Sequence, residues 1–456
     1  MEDGKTRKSA LAIAMVTSFV TPFMGASVNI ALPSIERDFP MNAVLLSWVA
    51  TAYLLAAAVA LVPAGRLADI HGRKRIFTVG MITFTVFSLL IALSTSGPML
   101  IAFRVFQGFG SGMIFATGTA ILMSVFPKEQ RGKVLGINVA AVYVGLSMGP
   151  FLGGILTQYL SWRGIFVFIL PLCLLSLGLT FTRLKGDWAE ARGEAFDLPG
   201  ALIYALALIC IMWGVSLLPG VFSLALIVPG IVCMAAFVVW EMRVDNPVLR
   251  MSLFFENRVF ALSSLAAMLN YSATFAVAFL LSLYLQHLKG MSPQAAGLVL
   301  VAQPVMMAIV SPLAGRLSDR IEPRIISSLG MACSTTALIA LIFLNGDTPL
   351  SFLMVVLAVF GTGLGLFTSP NTNAIMSSVD RRFYGIATGI MGTMRLLGQM
   401  VSMGIATLIF AVFMGRVRIA PEHYPALMQG MKVAFAIFAT LCILGIFASL
   451  TRGRVR

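Results

Sequence analysis

Fourteen apolar stretches, each long enough to cross a bilayer, make up nearly the whole of this chain. A helix rises ~1.5 Å per residue and the hydrocarbon core is ~30 Å thick, so roughly 20 apolar residues suffice for one crossing. The stretches, numbered here as spans 1 to 14, lie at about 10–33, 44–64, 76–95, 99–126, 134–158, 164–183, 199–218, 221–241, 259–286, 294–315, 325–345, 349–376, 384–414 and 431–451. Strands of a membrane β-barrel alternate over only ~10 residues. The sequence therefore predicts an all-α polytopic membrane protein with fourteen transmembrane helices.

The composition indicates a protein embedded in a membrane, and it argues against an enzyme. The chain is 59% apolar and 11% charged, whereas soluble domains carry about 25% charged residues. The first stretch is a full span without the cleavage site of a signal peptide. Five cysteines and three histidines have spacings that fit no metal site or disulfide framework. Because the spans hold no cluster of carboxylate, histidine or cysteine residues, we expect no catalytic residue, no metal and no cofactor.

The net charge of +14 has a one-sided distribution. With the N-terminus inside, 24 of the 32 Lys and Arg residues fall in cytoplasmic segments and 6 fall outside. This bias is the positive-inside rule, and it predicts that both termini are cytoplasmic. Basic loops in such a protein meet anionic lipid, so we expect a bilayer and not nucleic acid as the partner of this charge.

The chain contains an internal repeat. Residues 65–69, Gly-Arg-Leu-Ala-Asp after span 2, return as residues 315–319, Gly-Arg-Leu-Ser-Asp after span 10. Two parallel six-helix halves with a binding site between them are a known transporter plan. We predict an N-terminal half at 1–183, a cytoplasmic linker at 184–198, an inserted two-helix hairpin at 199–241, a cytoplasmic connector at 242–258 and a C-terminal half at 259–456.

Two spans carry motifs with a physical rationale. In span 4, Arg104 and Gly108 share a helical face. A mid-span arginine is costly in lipid and usually faces a cavity, although a structural arginine bonded to backbone carbonyl groups is the alternative. In span 5, glycines recur every four residues beside a helix-bending proline, which favours close helix packing. These residues are Gly145, Gly149, Gly153 and Pro150.

In combination, these motifs resemble the major facilitator superfamily, and specifically its fourteen-helix drug:proton antiporter branch. The resemblance covers the whole chain. The loop from Gly65 through Asp69 and Gly72 to Arg75 is similar to the superfamily signature, and the span 5 run is similar to the antiporter motif of its exporters. Weaker matches follow in order at Trp48 and Tyr53 in span 2, at 162–163 and at 284–293.

The resemblance implies roles for these residues. It implies a conformational latch between the halves, formed by Gly65, Asp69, Gly72, Arg73, Arg75, Gly315 and Asp319. It also implies a part in coupling for the span 4 motif. Simple positive-inside topology would explain Arg73 and Arg75, but neither Asp69 nor the repeat at Asp319.

One position departs from the branch. An aspartate usually stands in span 1 five residues before the Asn of an Asn-x-Ala-Leu-Pro run; here the run begins at Asn29 and the position holds Met24. None of the 18 acidic residues lies mid-span. A proton carrier needs a titratable group, so coupling by a membrane-embedded acid is in doubt.

Polar and adaptable side chains within the spans are the candidates for a substrate site. They are Met24, Asn29, Tyr53, Gln107, Asn270, Tyr271, Gln303, Asn371, Asn373, Arg395 and Gln399. Hydrogen bonding between helices is the alternative role for each polar member. Arg395 and Gln399 share a face at i, i+4. Arg395 resembles a common arginine of the branch, so it need not mark an anionic substrate.

The sequence thus predicts a secondary active transporter in a prokaryotic inner membrane. We expect a monomeric, multidrug-type exporter of hydrophobic or amphipathic small molecules that works by alternating access, with proton coupling left open. The first alternative is a facilitator without proton coupling, or a transporter of lipid or of an anionic metabolite. The second is a membrane sensor or scaffold.

Overall fold

The computed structural model of the protein describes residues 2–249, 251–318, 320–379, 384–415 and 417–453. Within these ranges, side chains are described except at 2–5, 128–129, 131–133, 135, 139, 252–253 and 384–385. The described chain is helical and contains no strand. Fourteen of its helical segments are long and apolar enough to cross a membrane, so the predicted all-α fold with fourteen spans is confirmed.

The helices follow one another with short connections. They are α1 (Glu2–Asp38), α2 (Ala43–His71), α3 (Arg73–Ala92), α4 (Gly97–Val125), α5 (Lys128–Leu160), α6 (Arg163–Thr182), α7 (Leu198–Ser216), α8 (Leu224–Glu241), α9 (Ser252–Glu256), α10 (Arg258–Leu283), α11 (Pro293–Leu300), α12 (Ala302–Ser318), α13 (Pro323–Ile342), α14 (Leu350–Ser377), α15 (Tyr384–Phe413) and α16 (Tyr424–Thr451).

Two spans are not regular α-helices. Span 9 continues from α10 into a π-helical turn, Tyr284–Leu288. Span 10 is divided into α11 and α12 at Val301. Pro304 lacks the N–H that would bond the carbonyl of Leu300, and its ring crowds that carbonyl, so the ladder breaks there. Both irregularities lie near the region where the two halves meet.

Side-chain caps fix several helix starts. Asn42 accepts a hydrogen bond from the Leu45 amide at 2.8 Å, and Ser292 accepts one from Ala295 at 3.2 Å. At the start of the hairpin, Asp197 accepts one from Gly200 at 3.0 Å. Each cap satisfies an amide that would otherwise lack a partner at the first turn.

The two halves have the same packing pattern. In the N-terminal half α1 packs on α5 and α6, α2 on α4, and α3 on α4 and α6. In the C-terminal half α10 packs on α15 and α16, α12 on α14, and α13 on α14 and α16. Each pair in one half corresponds to the pair at the equivalent position of the other, as the internal repeat predicts.

The halves meet along a seam formed by two equivalent helix pairs. Helix α2 lies against α15, and α5 lies against α11 and α12. The hairpin covers one side of this seam, because α7 contacts both α2 and α15. The Tyr204 hydroxyl donates to the carbonyl of Ala58 at 3.2 Å, and the rings of Trp48 and Trp213 meet edge to face at 6.1 Å.

Candidate functional site

The centre of the seam is lined by an arginine, aromatic rings and hydroxyl groups. The Arg395 guanidinium of α15 lies over the Phe115 ring of α4, 4.9 Å from its centroid. The hydroxyl groups of Tyr143 on α5 and Ser311 on α12 lie 2.8 Å apart. Both contacts join the two halves. Arg395 is half-buried, and no carboxylate lies within ion-pair distance of it in the described chain.

Three other predicted binding residues have the partial exposure that a ligand site requires, and a fourth is buried without a hydrogen-bond partner in the described chain. Tyr271, Gln303 and Gln399 are half-buried. Asn270 is fully buried, and neither its side-chain oxygen nor its nitrogen has a hydrogen-bond partner among the described residues. A buried amide without partners is costly, so Asn270 is a candidate for bonding a substrate or water.

Four of the predicted binding residues instead make hydrogen bonds within one half. Tyr53 donates to Ser111 at 2.7 Å, and the Gln107 amide donates to Ser88 at 2.7 Å. In the other half, Asn371 donates to the Ser263 carbonyl at 3.0 Å, and Asn373 donates to the Ser318 hydroxyl at 3.0 Å. These bonds support the alternative of helix packing for these four positions.

Arg104 is buried within the N-terminal half. Its Nε donates to the carbonyl of Val49 at 2.9 Å, and its Nη1 donates to Gln107 Oε1 at 2.6 Å. The guanidinium also lies 4.2 Å from the centre of the Tyr53 ring. Only 1% of Arg104 is exposed. This geometry favours the structural alternative over a role in a cavity.

The glycines of span 5 form the contact between α5 and α1. A Cβ at Gly145 would collide with the Phe19 carbonyl, and one at Gly149 or Gly153 would lie 2.5–2.8 Å from Ala26 or Ser27. The adjacent face of α5 meets the other half: a Cβ at Gly154 would lie 2.6 Å from the Pro293 carbonyl oxygen. The close approach predicted from the motif therefore serves both contacts.

The predicted substrate residues of α1 lie against this packing. Met24 is fully buried, and Asn29 is 3% exposed. The Asn29 side-chain oxygen has no hydrogen-bond partner in the described ranges. Its backbone carbonyl accepts a bond from Ser282 of α10 at 2.7 Å, which makes Asn29 part of the contact between the halves.

We call the end of the bundle with the 65–75 loop the basic end. There Arg73 is 7% exposed and donates to Asp69 Oδ1 from Nη2 at 2.9 Å and from Nε at 3.2 Å. The linker joins this pair: Glu190 lies 2.9 Å from Arg73 Nη1, and the amide of Ala191 donates to the Asp69 carbonyl at 2.9 Å. Glu194 also pairs with Arg66 at 2.6 Å.

The remaining latch residues have varied surroundings. Gly72 has φ +109°, which favours glycine, and a Cβ there would collide with the Asp187 carboxylate. Gly65 faces Ala116, and Gly315 faces the Ser369 hydroxyl. Arg75 is exposed. Asp319 lies outside the described residues.

The opposite end, at which residues 36–43, 284–294 and 417–423 meet, carries most of the polar bonds that described residues make between the halves. Gln286 donates to the Ile30 carbonyl at 2.9 Å, and the hydroxyl groups of Ser47 and Thr407 lie 2.8 Å apart. The Ala43 amide donates to the Val417 carbonyl at 3.1 Å. The halves are thus tied together at this end.

Sequence reasoning missed several of these residues. Glu36 and His287 form a buried contact at the opposite end, although each stands at a loop edge in the sequence. Tyr143 gave no signal either, because an aromatic residue in a span is ordinary membrane core. Arg452, counted only as a basic loop residue, is fully buried and donates to Asn371 Oδ1 at 2.7 Å. Burial lowers the pKa of Arg452 to about 10.

A family model and individual relatives place the chain in the same group of known proteins. The family model described as Major Facilitator Superfamily matches residues 14–266 and 263–455. The chain is 30% identical over 442 residues to the riboflavin transporter RibZ of Clostridioides difficile, covering 97% of this chain and 96% of the relative. It is 31% identical over 393 residues to the multidrug resistance protein Stp of Mycobacterium tuberculosis, covering 85% and 73%.

The fold also matches a solved structure. The crystal structure of a D-xylose-proton symporter superposes with a TM-score of 0.68, over 98% of this chain and 97% of that chain. The sequences are only 14% identical, so this likeness concerns the fold alone.

Proposed function

Because the chain belongs to the major facilitator superfamily and is a secondary transporter, not an enzyme, we propose that it exports hydrophobic or amphipathic small molecules by alternating access. The names of its relatives support this class of substrate, since they include a multidrug resistance protein and a riboflavin transporter. The proposed site is the centre of the seam, around Arg395, Phe115 and Tyr143. Small-molecule transport across a membrane is the family's function.

One observation carries the mechanism: among the described residues, most polar bonds between the halves lie at the opposite end, away from the basic end. Equivalent helix pairs, α2 with α15 and α5 with α11 and α12, form the seam. We infer that the segments 1–183 and 259–456 rock against each other about this seam, with 184–198 and 242–258 as connections and 199–241 as a covering hairpin. If the two ends open in alternation, the site is exposed to each side of the membrane in turn.

The orientation follows from charge. We propose that the basic end and both termini are cytoplasmic and that the membrane is a prokaryotic inner membrane, because basic residues are retained on the cytoplasmic side. A reporter that is active only outside the membrane, fused after Arg456, should give no signal. Activity of that fusion would contradict the orientation.

At the basic end we propose that the latch makes a different set of contacts in each of the two transport states, and that the two sets exclude each other. With the opposite end closed, Arg73 holds Asp69, and the linker adds Glu190 to the same guanidinium. When the basic end closes, Asp69 is expected to contact the second half, together with the equivalent segment at Gly315 and Asp319. A carboxylate near a helix N-terminus is stabilised there.

A second candidate, a facilitator without proton coupling, is favoured by one position. Met24 replaces the usual acid and is fully buried, so span 1 offers no titratable group at that point. The two candidates differ in their response to a pH gradient. We propose in either case that one chain suffices, because its two halves complete the site.

Transport by reconstituted protein tests the proposal. Proteoliposomes that contain purified protein should move fluorescent amphipathic dyes faster than empty liposomes, with and without an imposed pH gradient. Asn270→Ala should reduce the rate, whereas Thr336→Ala, on an exposed face of α13, should not. Equal dye movement in protein-containing and empty liposomes would contradict export.

A further inference from the structure

The charge at the centre of the seam is positive, and no described residue supplies a counter-charge for it. Of the two mid-span arginines, Arg104 is already bonded to Val49 and Gln107 within its own half. Arg395 is half-buried and faces the ring of Phe115 across the seam. Acidic residues lie only at span ends and in loops, and none pairs with Arg395 in the part of the chain that the structure describes.

The surroundings of Arg395 are suited to an aromatic ligand. The Phe115 ring lies 4.9 Å from its guanidinium, and the side chains of Tyr143 and Ser311 meet across the same seam. These rings offer flat apolar surface next to hydrogen-bonding groups, and Ser311 completes the hydroxyl pair with Tyr143.

This combination of groups favours a negatively charged ligand over a positively charged one. A guanidinium in a low-dielectric site is costly without an anion, and it bonds carboxylate or sulfonate oxygens with two parallel N–H groups. A lipophilic cation at the same place would meet repulsion and would find no carboxylate. Met24 removes the acid that a cation would need in span 1.

We propose that the seam around Arg395 binds amphipathic organic anions, molecules with an aromatic body and one carboxylate or sulfonate group, in preference to lipophilic cations. This inference rests on the proposed transport function, since it specifies the substrate class of the same site. The anion supplies the counter-charge of Arg395, while the rings of Phe115 and Tyr143 contact the aromatic body.

Two dyes with the same xanthene ring system test the charge preference directly: fluorescein, an anion, and rhodamine 123, a cation. Binding to purified protein in neutral-lipid nanodiscs is measured by fluorescence anisotropy. Wild-type protein should bind fluorescein at least about tenfold more tightly, as expected for a charge-assisted bidentate contact. Arg395→Gln should remove this preference, and Arg395→Lys should retain part of it.

A matched control removes a positive charge elsewhere. Arg243 is exposed on the connector, so Arg243→Gln should leave both affinities unchanged. Equal or tighter binding of rhodamine 123 by the wild-type protein would overturn the anion site, and that result needs no variant. Unchanged fluorescein binding by folded Arg395→Gln protein would overturn it as well.

Transport of the same dyes separates this inference from the proposed function. If the protein transports rhodamine 123 but does not bind fluorescein, the export function stands and the anion site is wrong. If fluorescein binds in an Arg395-dependent way but neither dye is moved in proteoliposomes, the anion site stands and the export function fails.

Discussion

Glu36 on α1 and His287 at the end of span 9 lie 3.2 Å apart across the seam, between Oε2 and Nε2. Their side chains are 8% and 13% exposed. The other carboxylate oxygen of Glu36 accepts the amide of Ile419 at 3.2 Å. One carboxylate therefore joins two separate segments of the C-terminal half, and it does so at the end of the bundle where the halves are tied together.

Removing this carboxylate charge should loosen the opposite end. Glu36→Gln removes the carboxylate that lies 3.2 Å from His287 and accepts the Ile419 amide, so both contacts with the C-terminal half lose the charge of Glu36. We expect the population with this end open to increase. Spin labels at Thr95 and Asp347, exposed positions in loops of the two halves, should report longer distances by double electron–electron resonance.

A second glutamate provides the control. Glu422 also lies beside a histidine, 3.8 Å from His423, but the two are sequence neighbours in one half and Glu422 is 77% exposed. Glu422→Gln should leave the label distances unchanged. If Glu36→Gln also left them unchanged, the Glu36–His287 contact would not contribute to closure.

The fold could be predicted because the membrane limits the possibilities. Only helices satisfy every backbone group within a span, so apolar length alone identified the fourteen spans, and the repeat at 65–69 and 315–319 indicated the two halves. The break at Val301 was not predicted. Pro304 was visible in the sequence, but proline is also tolerated within membrane helices.

The site was only partly predictable. Arg395 stood out because a mid-span arginine is rare, whereas Arg104 gave the same signal and is bonded within its half. A single polar residue in a span has no feature that separates a ligand contact from a helix contact. Only the group that a polar side chain contacts in the fold separates these two roles. For Glu36 that group is His287, which is about 250 positions away in the sequence.

Gly154 should control closure of the halves. A Cβ there would lie 2.6 Å from the Pro293 carbonyl oxygen and 3.0 Å from Gln294 Cα, and backbone atoms cannot move aside cheaply. Overpacking of this kind costs about 1–3 kcal/mol. Gly154→Ala should therefore lengthen the Thr95–Asp347 distance and slow transport.

The matched glycine for that experiment is Gly178 of α6. No atom lies within 4 Å of a Cβ built at this position. Gly178→Ala should leave both the distance and the transport rate unchanged. Identical behaviour of the two alanine variants would show that the α5–α11 contact does not limit closure.

Arg104 should matter for stability more than for ligand binding. Arg104→Gln removes the charged donors to Val49 and Gln107, and hydrogen bonds of charged groups contribute about 1.5–3 kcal/mol each. We expect a lower midpoint of thermal unfolding in detergent, with dye affinity retained in the folded fraction. Arg395→Gln should have the opposite effects: an unchanged midpoint of thermal unfolding and a lower affinity for the anionic dye. Wild-type stability combined with lost transport would instead assign Arg104 to coupling.

Asp69 should control the rate of switching. Its carboxylate holds Arg73, and an uncharged amide at this position cannot serve either proposed use of the latch. Asp69→Asn should slow transport about tenfold, a typical size for the coupling of two sites, while expression is maintained. Glu194→Gln removes only the linker's contact with Arg66 and should have a smaller effect. An unchanged rate in Asp69→Asn protein would reduce the loop motif to a topology signal.

Met24 should determine how strongly protons drive transport. The side chain is fully buried, and no acid replaces it mid-span, so we expect wild-type transport to depend only weakly on an imposed pH gradient. In Met24→Asp protein the new carboxyl group is buried, and burial raises a carboxyl pKa by up to ~3–5 units. Such a group can gain and lose a proton near neutral pH, so the variant should show a stronger dependence on the gradient. Met24→Asn introduces a side chain with the shape of aspartate but without a titratable group, so it should not strengthen the dependence on the gradient. Dye transport in proteoliposomes at several inside and outside pH values measures this, and a wild-type rate that vanishes without a gradient would refute the prediction.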